Sequence, residues 1–195
     1  MNYNPDIHHR KSIRLKGYDY TNPGAYFITI CSKNRTCLFG RIDDGTMLLN
    51  EFGQAVRDVW EWLPEQYQYV TIGEFIIMPN HFHGILIIGR GGSRTAHIMP
   101  DADKIPDNDV LPDTAHGGGS RTAPTDKQKS VGRLIGVFKT VSTKRMNIMR
   151  SDPVDKIWQR NYYEHIIRND DERRRIEEYI ANNPMTWKDD RLFAE

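Results

Sequence analysis

The sequence contains little cysteine and no long hydrophobic run. Its 195 residues include two cysteines, Cys31 and Cys37, which are six positions apart and have no partners at the spacing of a zinc site. We therefore expect reduced structural thiols rather than a disulfide framework or redox chemistry. No stretch of about 18 apolar residues occurs, and no charged start leads into an apolar segment, so we expect a cytoplasmic protein without a membrane span.

The chain also lacks a net charge of either sign, but its charges are segregated. The totals are 27 Lys+Arg and 26 Asp+Glu, yet residues 127–150 hold seven basic residues and no acidic one, and residues 1–41 hold seven basic and two acidic residues. Local basic surfaces attract phosphates even on a neutral protein. An ordinary solvated helix face would have the same composition, so the pattern alone leaves both interpretations open.

Apolar periodicity and turn residues predict an α+β fold. The order of elements favours an antiparallel sheet of the ferredoxin-like kind, with helices mainly on one face. Polar residues at helix starts, and Pro or Asn at helix ends, set the boundaries. The predicted elements are a strand over 26–32, a hairpin over 38–50, a helix from Asn50 to Pro64, two antiparallel strands over 70–78 and 81–88 joined by Pro79-Asn80, a helix capped by Ser130, a strand over 157–167, and a helix from Asn169 to Asn182-Asn183-Pro184.

The helix that begins at Ser130 is predicted to be amphipathic. Its basic residues Arg133, Lys139 and Lys144 should point outward. Its apolar side should contain Leu134, Ile135, Phe138, Val141 and Met149.

Residues 90–129 differ in composition from the rest of the chain. They contain five Gly and four Pro, and the hexapeptide Gly-Gly-Ser-Arg-Thr-Ala occurs twice, at 91–96 and 118–123. This composition is typical of a flexible loop. We expect one domain over 1–195 with a flexible insertion at about 90–129, which acts either as padding or as an arm that contacts DNA.

His81 and His83 are the first candidates for chemistry. Residues two apart on a strand point to the same face, so both imidazoles should emerge side by side while Phe82 turns into the core. Such a pair can hold one metal ion. Hydrogen-bonded histidines without a metal are the alternative.

Tyr179 and Asn183 lie four residues apart on the last predicted helix, hence on one face, and the Asn183 carboxamide at the helix end can swing outward. Because Ile176 and Ile180 are close to Tyr179 in sequence, an ordinary core tyrosine is the alternative.

Three motifs in order carry a family resemblance. They are Ile77-Met78-Pro79-Asn80-His81-Phe82-His83, the stretch from Trp158 to Asn169, and Glu178-Tyr179-Ile180-Ala181-Asn182-Asn183-Pro184 followed by Trp187. Together they resemble the single-tyrosine HUH transposases, and more narrowly the REP-associated tyrosine transposases. The resemblance extends from Tyr26 to Trp187, apart from the insertion.

The resemblance implies a ferredoxin-like domain that cuts single-stranded DNA near a hairpin and rejoins it. Tyr179 matches the nucleophile that leaves a 5′-phosphotyrosine link and a free 3′-hydroxyl. His81 and His83 match the metal-binding histidines, and Asn183 matches the polar ligand, which is often the longer Gln in the wider family. The implied metal is Mg²⁺ or Mn²⁺, although imidazole ligands alone would also suit zinc.

Other residues of the second motif compete for roles in the same chemistry. Tyr162 and Tyr163 are alternative nucleophiles, or else strand residues or platforms on which bases stack. His165 is an alternative ligand or proton relay, with a structural or phosphate contact as its other interpretation.

The implied partner is single-stranded or hairpin DNA, and family members commonly form homodimers. Phosphate contacts should make binding depend steeply on salt without selecting a sequence. The candidate DNA-binding residues are Arg14, Lys16, Lys127, Lys129, Arg133, Lys139, Lys144 and Arg160.

Two other functions compete with a nicking and joining enzyme. One is a domesticated hairpin-DNA binding protein that has lost catalysis. The other is a small-barrel metalloenzyme acting on small molecules, with His165 as the third ligand. The joint presence of both histidines, Tyr179 and Asn183 favours the enzyme over the binding protein.

Overall fold

The computed structural model describes residues 17–89, 128–150 and 156–193. The elements in chain order are β1 (Gly24–Cys31), β2 (Gly40–Asp43), β3 (Thr46–Leu49), α1 (Glu51–Gln66), β4 (Val70–Ile77), β5 (His81–Ile88), α2 (Val131–Met149), β6 (Tyr163–Ile167) and α3 (Asp170–Asn182), with short 3₁₀ helices at Lys33–Arg35 and Trp187–Asp189.

Four strands form one antiparallel sheet in the order β4-β5-β1-β6. β2 and β3 form a separate hairpin, as predicted. Without that hairpin the chain reads strand, helix, strand, strand, helix, strand, and the first and third of these strands are central. This is the ferredoxin-like arrangement, so the predicted α+β fold class is confirmed.

The main core lies between the sheet and the pair α1 and α2. Alternate residues of β1 and β5 point to this face, among them Ile28 and Phe82, which are fully buried. The rings of Trp60 and Phe82 are 4.6 Å apart, and those of Trp60 and Phe138 are 5.3 Å apart. Burying each such side chain contributes about 1.5–3 kcal/mol.

The opposite face of the sheet is covered by α3. Ile180 packs there with Ile85 and Ile167, and Ile176 joins them from the same helix. Because the side-chain period of a strand is two, the β5 residues on this face include His81 and His83 as well as Ile85. α3 is therefore the element that faces the histidine pair.

Two helix starts agree with their predicted caps, and a third differs. The Asn50 side chain accepts a hydrogen bond from Gly53 N at 3.0 Å, and the Asn169 side chain accepts one from Glu172 N at 2.8 Å. The Ser130 side chain makes no cap hydrogen bond, although its backbone carbonyl accepts from the first turn of α2.

Three predicted boundaries are corrected. α1 continues past Pro64 to Gln66, because the missing N–H of Pro64 removes one hydrogen bond while Tyr67 N still donates to Leu63 O. The strand predicted over 157–167 is regular only over Tyr163–Ile167, and its first part forms a single bridge between Ser32 and Trp158. Met149 is 49% exposed, and Met146 takes its predicted place in the core.

The predicted insertion falls largely outside the described residues. Its two flanks meet, because Gln128 Nε2 donates to Gly89 O at 2.8 Å and Lys129 N donates to the Tyr69 hydroxyl at 2.8 Å. Among the helices of the described ranges, none combines the length and apolar character that a membrane crossing requires.

Candidate metal and tyrosine site

The two histidines lie side by side on the α3 face of β5. Their ring centroids are 4.5 Å apart, and the residues are 0% and 2% exposed. Phe82 between them is buried in the main core. The geometry predicted from strand periodicity is therefore confirmed, and the pair is buried rather than set on an open surface.

One ring nitrogen of His81 has no hydrogen-bond partner among the described residues. Its Nδ1 lies 2.8 Å from Asn80 Oδ1, and an amide oxygen accepts but does not donate, so Nδ1 carries the hydrogen. Nε2 then has a lone pair, is buried, and has no hydrogen-bond partner within the described ranges. Burial lowers the pKa of His81 to about 4 against the opposing effect of Asp190, so the ring is neutral at pH 7.

His83 is held between a threonine and the candidate nucleophile. Its Nδ1 lies 2.8 Å from Thr29 Oγ1, and its Nε2 lies 3.2 Å from the Tyr179 hydroxyl. Burial, and next the neighbouring His81, hold the pKa of His83 well below its usual range. In the tautomer with Nδ1 donating to Thr29, the Nε2 lone pair faces the Tyr179 hydroxyl.

Asn183 reaches the site from the end of α3. It is 1% exposed, its Nδ2 donates to Asp190 Oδ2 at 3.2 Å, and its Oδ1 is buried without a hydrogen-bond partner in the described part of the chain. The predicted outward swing of this carboxamide is wrong, because the C-terminal segment covers it. A buried acceptor of this kind requires a donor or a cation.

Asp190 is the functional candidate that sequence reasoning missed. One ligand atom from each of His81, His83 and Asp190 lies within 4.8 Å of the other two, and Asp190 Oδ2 is 3.9 Å from His81 Nε2. Asp190 follows the last helix in a stretch without periodicity, so its spacing gave no indication of where it folds. The nearby Trp187, whose ring is 5.8 Å from that of His81, was the only sequence signal for this segment.

The segment with Asp190 is tied to the strand end by Asn80. The Asn80 Nδ2 donates to Leu192 O at 2.7 Å and to Arg35 O at 3.1 Å, while its Oδ1 is the partner of His81. One buried carboxamide thus orients a histidine and positions the chain that supplies the carboxylate.

Tyr179 stands at the rim of this cluster. It is 46% exposed, and its ring packs against His83 at 5.2 Å and against Phe27 at 6.1 Å. Burial, and next the Asp190 carboxylate, raise the pKa of the phenol, while Asn183 and Arg191 act in the opposite direction. The phenol is therefore protonated at neutral pH, on a side chain that is about half exposed.

The donor set fits a divalent metal ion. Two neutral imidazoles and a carboxylate each place one ligand atom within 4.8 Å of the other two. Two buried atoms, His81 Nε2 and Asn183 Oδ1, have no hydrogen-bond partner in the described residues. His81, His83 and Asp190 could hold a metal ion. The Asn183 carboxamide lies next to this group, because its Nδ2 donates to Asp190 Oδ2.

The competing residues of the second motif lie elsewhere. Tyr162 donates to Glu164 Oε2 at 2.6 Å, and His165 Nε2 lies 2.7 Å from Glu172 Oε1. His165 is not part of the metal-ligand cluster in the described chain. Tyr163 is 47% exposed and contacts Phe27, which also contacts Tyr179.

The predicted DNA-binding residues fall into three groups. Arg133, Lys144 and Arg160 are exposed, whereas Lys129 Nζ contacts the Tyr67 hydroxyl at 3.1 Å. Lys139 does not point outward as predicted. Its Nζ donates to the carbonyls of residues 159–161 at 2.9–3.4 Å, and burial lowers its pKa to about 8. The remaining three, Arg14, Lys16 and Lys127, lie outside the described residues.

Comparison with known proteins identifies a relative and a fold neighbour. No protein-family model matches the chain. Over 195 residues it is 40% identical to a protein of Haemophilus influenzae described as uncharacterized, a match that covers 99% of this chain and 98% of that protein. The chain belongs to the family of that Haemophilus protein.

One solved structure is similar to this chain in fold. The structure of a REP-associated tyrosine transposase bound to a REP hairpin is similar, with a TM-score of 0.53 and 17% identity. The similarity covers 89% of this chain and 73% of the transposase chain. At that identity the likeness shows a shared fold.

Proposed function

We propose that the protein is a transposase-like enzyme that nicks and rejoins single-stranded DNA beside a hairpin through Tyr179. The observation that carries the proposal is the Tyr179 hydroxyl, 3.2 Å from His83 Nε2, at the rim of a cluster that could hold a metal ion. This arrangement supports the assignment of Tyr179 as a nucleophile beside a Lewis-acid site, on a side that is open to substrate.

The proposed reaction is a phosphoryl transfer that conserves the phosphodiester energy. The Tyr179 oxygen attacks the phosphorus, the bond from phosphorus to the 3′-oxygen breaks, and a 5′-phosphotyrosine link forms. The phenol proton leaves to water, which reaches this half-exposed side chain, and the departing 3′-oxygen takes up a proton. Rejoining reverses both transfers, so no hydrolysis is required.

His81, His83, Asp190 and Asn183 would hold the metal. When bound, a divalent ion supplies Lewis-acid polarisation of a non-bridging phosphate oxygen. Imidazole is a poor ligand for Mg²⁺, whereas a mixed nitrogen and oxygen set suits Mn²⁺, so the donors favour Mn²⁺ over Mg²⁺.

Support for hairpin DNA as the substrate comes from the fold neighbour and from charge. The similar transposase structure contains a REP hairpin. Arg133, Lys144 and Arg160 are exposed cations that phosphates can contact. A homodimer stays a prediction of the family resemblance.

The test is covalent capture of labelled DNA. Purified protein is incubated with end-labelled hairpin DNA that has single-stranded flanks, in Mn²⁺, Mg²⁺ or EDTA, and run on a denaturing gel. We expect a metal-dependent adduct that Tyr179→Phe abolishes without loss of hairpin binding. Tyr163→Phe is the matched control, because it removes the other exposed hydroxyl near Phe27 and should leave the adduct in place.

Two results would count against the proposal. An adduct that survives in Tyr179→Phe would assign the nucleophile to another residue. Hairpin binding without an adduct in any metal would favour the non-catalytic binding protein.

A further inference from the structure

The two histidines of the cluster differ in what their ring nitrogens contact. His81 Nδ1 lies 2.8 Å from Asn80 Oδ1, and its Nε2 has no hydrogen-bond partner in the described ranges. Both nitrogens of His83 have partners, because Nδ1 lies 2.8 Å from Thr29 Oγ1 and Nε2 lies 3.2 Å from the Tyr179 hydroxyl. Of these two rings, His83 is the one at which a ligand must displace a group of the protein.

Thr29 is held against His83 by the pairing of β1 with β5. The two residues are register partners, and paired residues of neighbouring antiparallel strands place their side chains next to each other on one face. Phe27, two residues earlier on the same face, stacks its ring on that of His83 at 5.4 Å and 23°. The sheet thus fixes the His83 ring with Nδ1 towards Thr29 and Nε2 towards Tyr179.

One of the two neutral tautomers of His83 fits a metal ligand. A ligating nitrogen needs a lone pair, and Nδ1 is engaged by Thr29, so Nε2 is the nitrogen left to bind a metal ion. Its lone pair requires the ring hydrogen on Nδ1, where the Thr29 hydroxyl accepts it. A polar group on the far nitrogen fixes the tautomer of metal-ligating histidines in this way. In this tautomer the Tyr179 hydroxyl donates to the same lone pair that a metal ion needs.

We propose that Thr29, His83 and Tyr179 form one hydrogen-bonded chain, in which Thr29 is a positioning residue and Tyr179 competes with the metal ion for His83 Nε2. Without metal, His83 holds the phenol hydrogen. When Nε2 ligates an ion, the phenol loses this acceptor and is free to turn towards a substrate phosphate. The inference rests on the proposed function for the metal ion and for the role of Tyr179.

Competition of this kind is reciprocal, so removal of the Tyr179 hydroxyl must strengthen metal binding. The contact of 3.2 Å is at the long end of the hydrogen-bond range. We therefore expect the gain in metal affinity to be about two- to fivefold, in the lower part of the net value of one hydrogen bond. A tyrosine that itself ligated the ion would give the opposite sign.

The first test is the affinity of the full-length protein for Mn²⁺, measured by calorimetry without DNA. Tyr179→Phe should bind Mn²⁺ more tightly than the wild type by that factor. Tyr163→Phe is the matched control, because it removes an exposed hydroxyl beside Phe27, and its Mn²⁺ affinity should not change. Unchanged or weaker Mn²⁺ binding in Tyr179→Phe, or an equal gain in both variants, would overturn the inference.

The second test reads the tautomer of His83 in the metal-free protein by long-range ¹H–¹⁵N NMR, which distinguishes hydrogen on Nδ1 from hydrogen on Nε2. We expect Nδ1–H in the wild type. Thr29→Val keeps the shape and removes the acceptor, so His83 should change to Nε2–H, which donates to Tyr179, and Mn²⁺ affinity should fall about 10- to 100-fold. Thr29→Ser should restore both the tautomer and the affinity.

Thr71→Val makes the same substitution at an exposed position on β4 and should change neither quantity. An Nε2–H tautomer in the wild type, or an Nδ1–H tautomer that survives in Thr29→Val, would overturn the role of Thr29. Failure of Thr29→Ser to restore the tautomer would do so as well, because a purely structural effect does not depend on the hydroxyl.

These outcomes are separate from those of the covalent assay. If the wild type forms the Tyr179 adduct while Tyr179→Phe does not gain Mn²⁺ affinity, the inference fails and the proposed function stands. If Tyr179→Phe gains affinity but the wild type forms no adduct in any metal, the hydrogen-bonded chain stands and the nicking activity is wrong.

Discussion

The two faces of the sheet bury different kinds of side chain. The face beneath α1 and α2 buries apolar side chains such as Trp60, Phe82 and Phe138 in close ring contact. The α3 face buries two neutral histidines and an asparagine, and two of their polar atoms have no partner in the described residues. The first face stabilises the fold, whereas the second keeps groups that cost stability until a ligand satisfies them.

The largest effect should come from breaking the apolar face. Phe82→Ala removes a fully buried ring that contacts Trp60 and Phe138, so we expect a loss of about 3–5 kcal/mol in the free energy of unfolding, measured in urea. His83→Ala, one residue along and on the other face, is the comparison variant and should cost far less. Equal losses of unfolding free energy in the two variants would contradict the inference that the α1 and α2 face stabilises the fold more than the α3 face does.

An intermediate effect should follow from pH. His81 has a folded pKa of about 4 and an unfolded value of 6.5, so the unfolded chain binds a proton that the folded chain does not. Stability is full above pH 6.5 and falls as pH drops towards 4. We expect His81 alone to cost about 2 kcal/mol between pH 7 and pH 5, measured by urea unfolding in EDTA. His81→Leu should remove that part of the pH dependence, and an unchanged pH profile in this variant would contradict the assignment.

An effect on metal affinity, with little effect on the fold, should come from the positioning residue Asn80. Asn80→Ala removes the acceptor that fixes the His81 tautomer, so we expect Mn²⁺ affinity to fall 10- to 100-fold, measured by calorimetry. Asn80→Asp restores an acceptor for His81 but not the donors to Leu192 O and Arg35 O. Partial rescue by Asn80→Asp would separate the tautomer effect from the tether, whereas no rescue would assign the effect to the C-terminal segment alone.

The parts of the fold and site that could be predicted from the sequence are those that local periodicity and helix-capping residues determine. The common face of His81 and His83 follows from strand geometry, and the starts of α1 and α3 follow from Asn50 and Asn169. The position of Tyr179 close to the histidines was predictable only from the motif that resembles a family. Its spacing in the sequence did not require it.

The misses share a physical cause. Asp190 and Lys139 both depend on segments that fold back without a repeating sequence pattern. The segment with Asp190 folds back over Asn183. The segment 159–161 folds back over α2 and contacts Lys139. The prediction that Lys139 points outward considered only its own helix. The backbone carbonyls of residues 159–161 then gave this lysine a different partner.

The contact between Gln128 and Gly89 has a consequence for how the chain can vary in length. A single hydrogen bond of 2.8 Å holds the two ends of the segment between β5 and α2 next to each other. With the ends fixed, doubling the number of residues between them costs only about 0.6 kcal/mol of loop-closure entropy. We therefore expect this position to tolerate a longer insertion, from a peptide tag to a fused domain, while β5 and α2 keep their places.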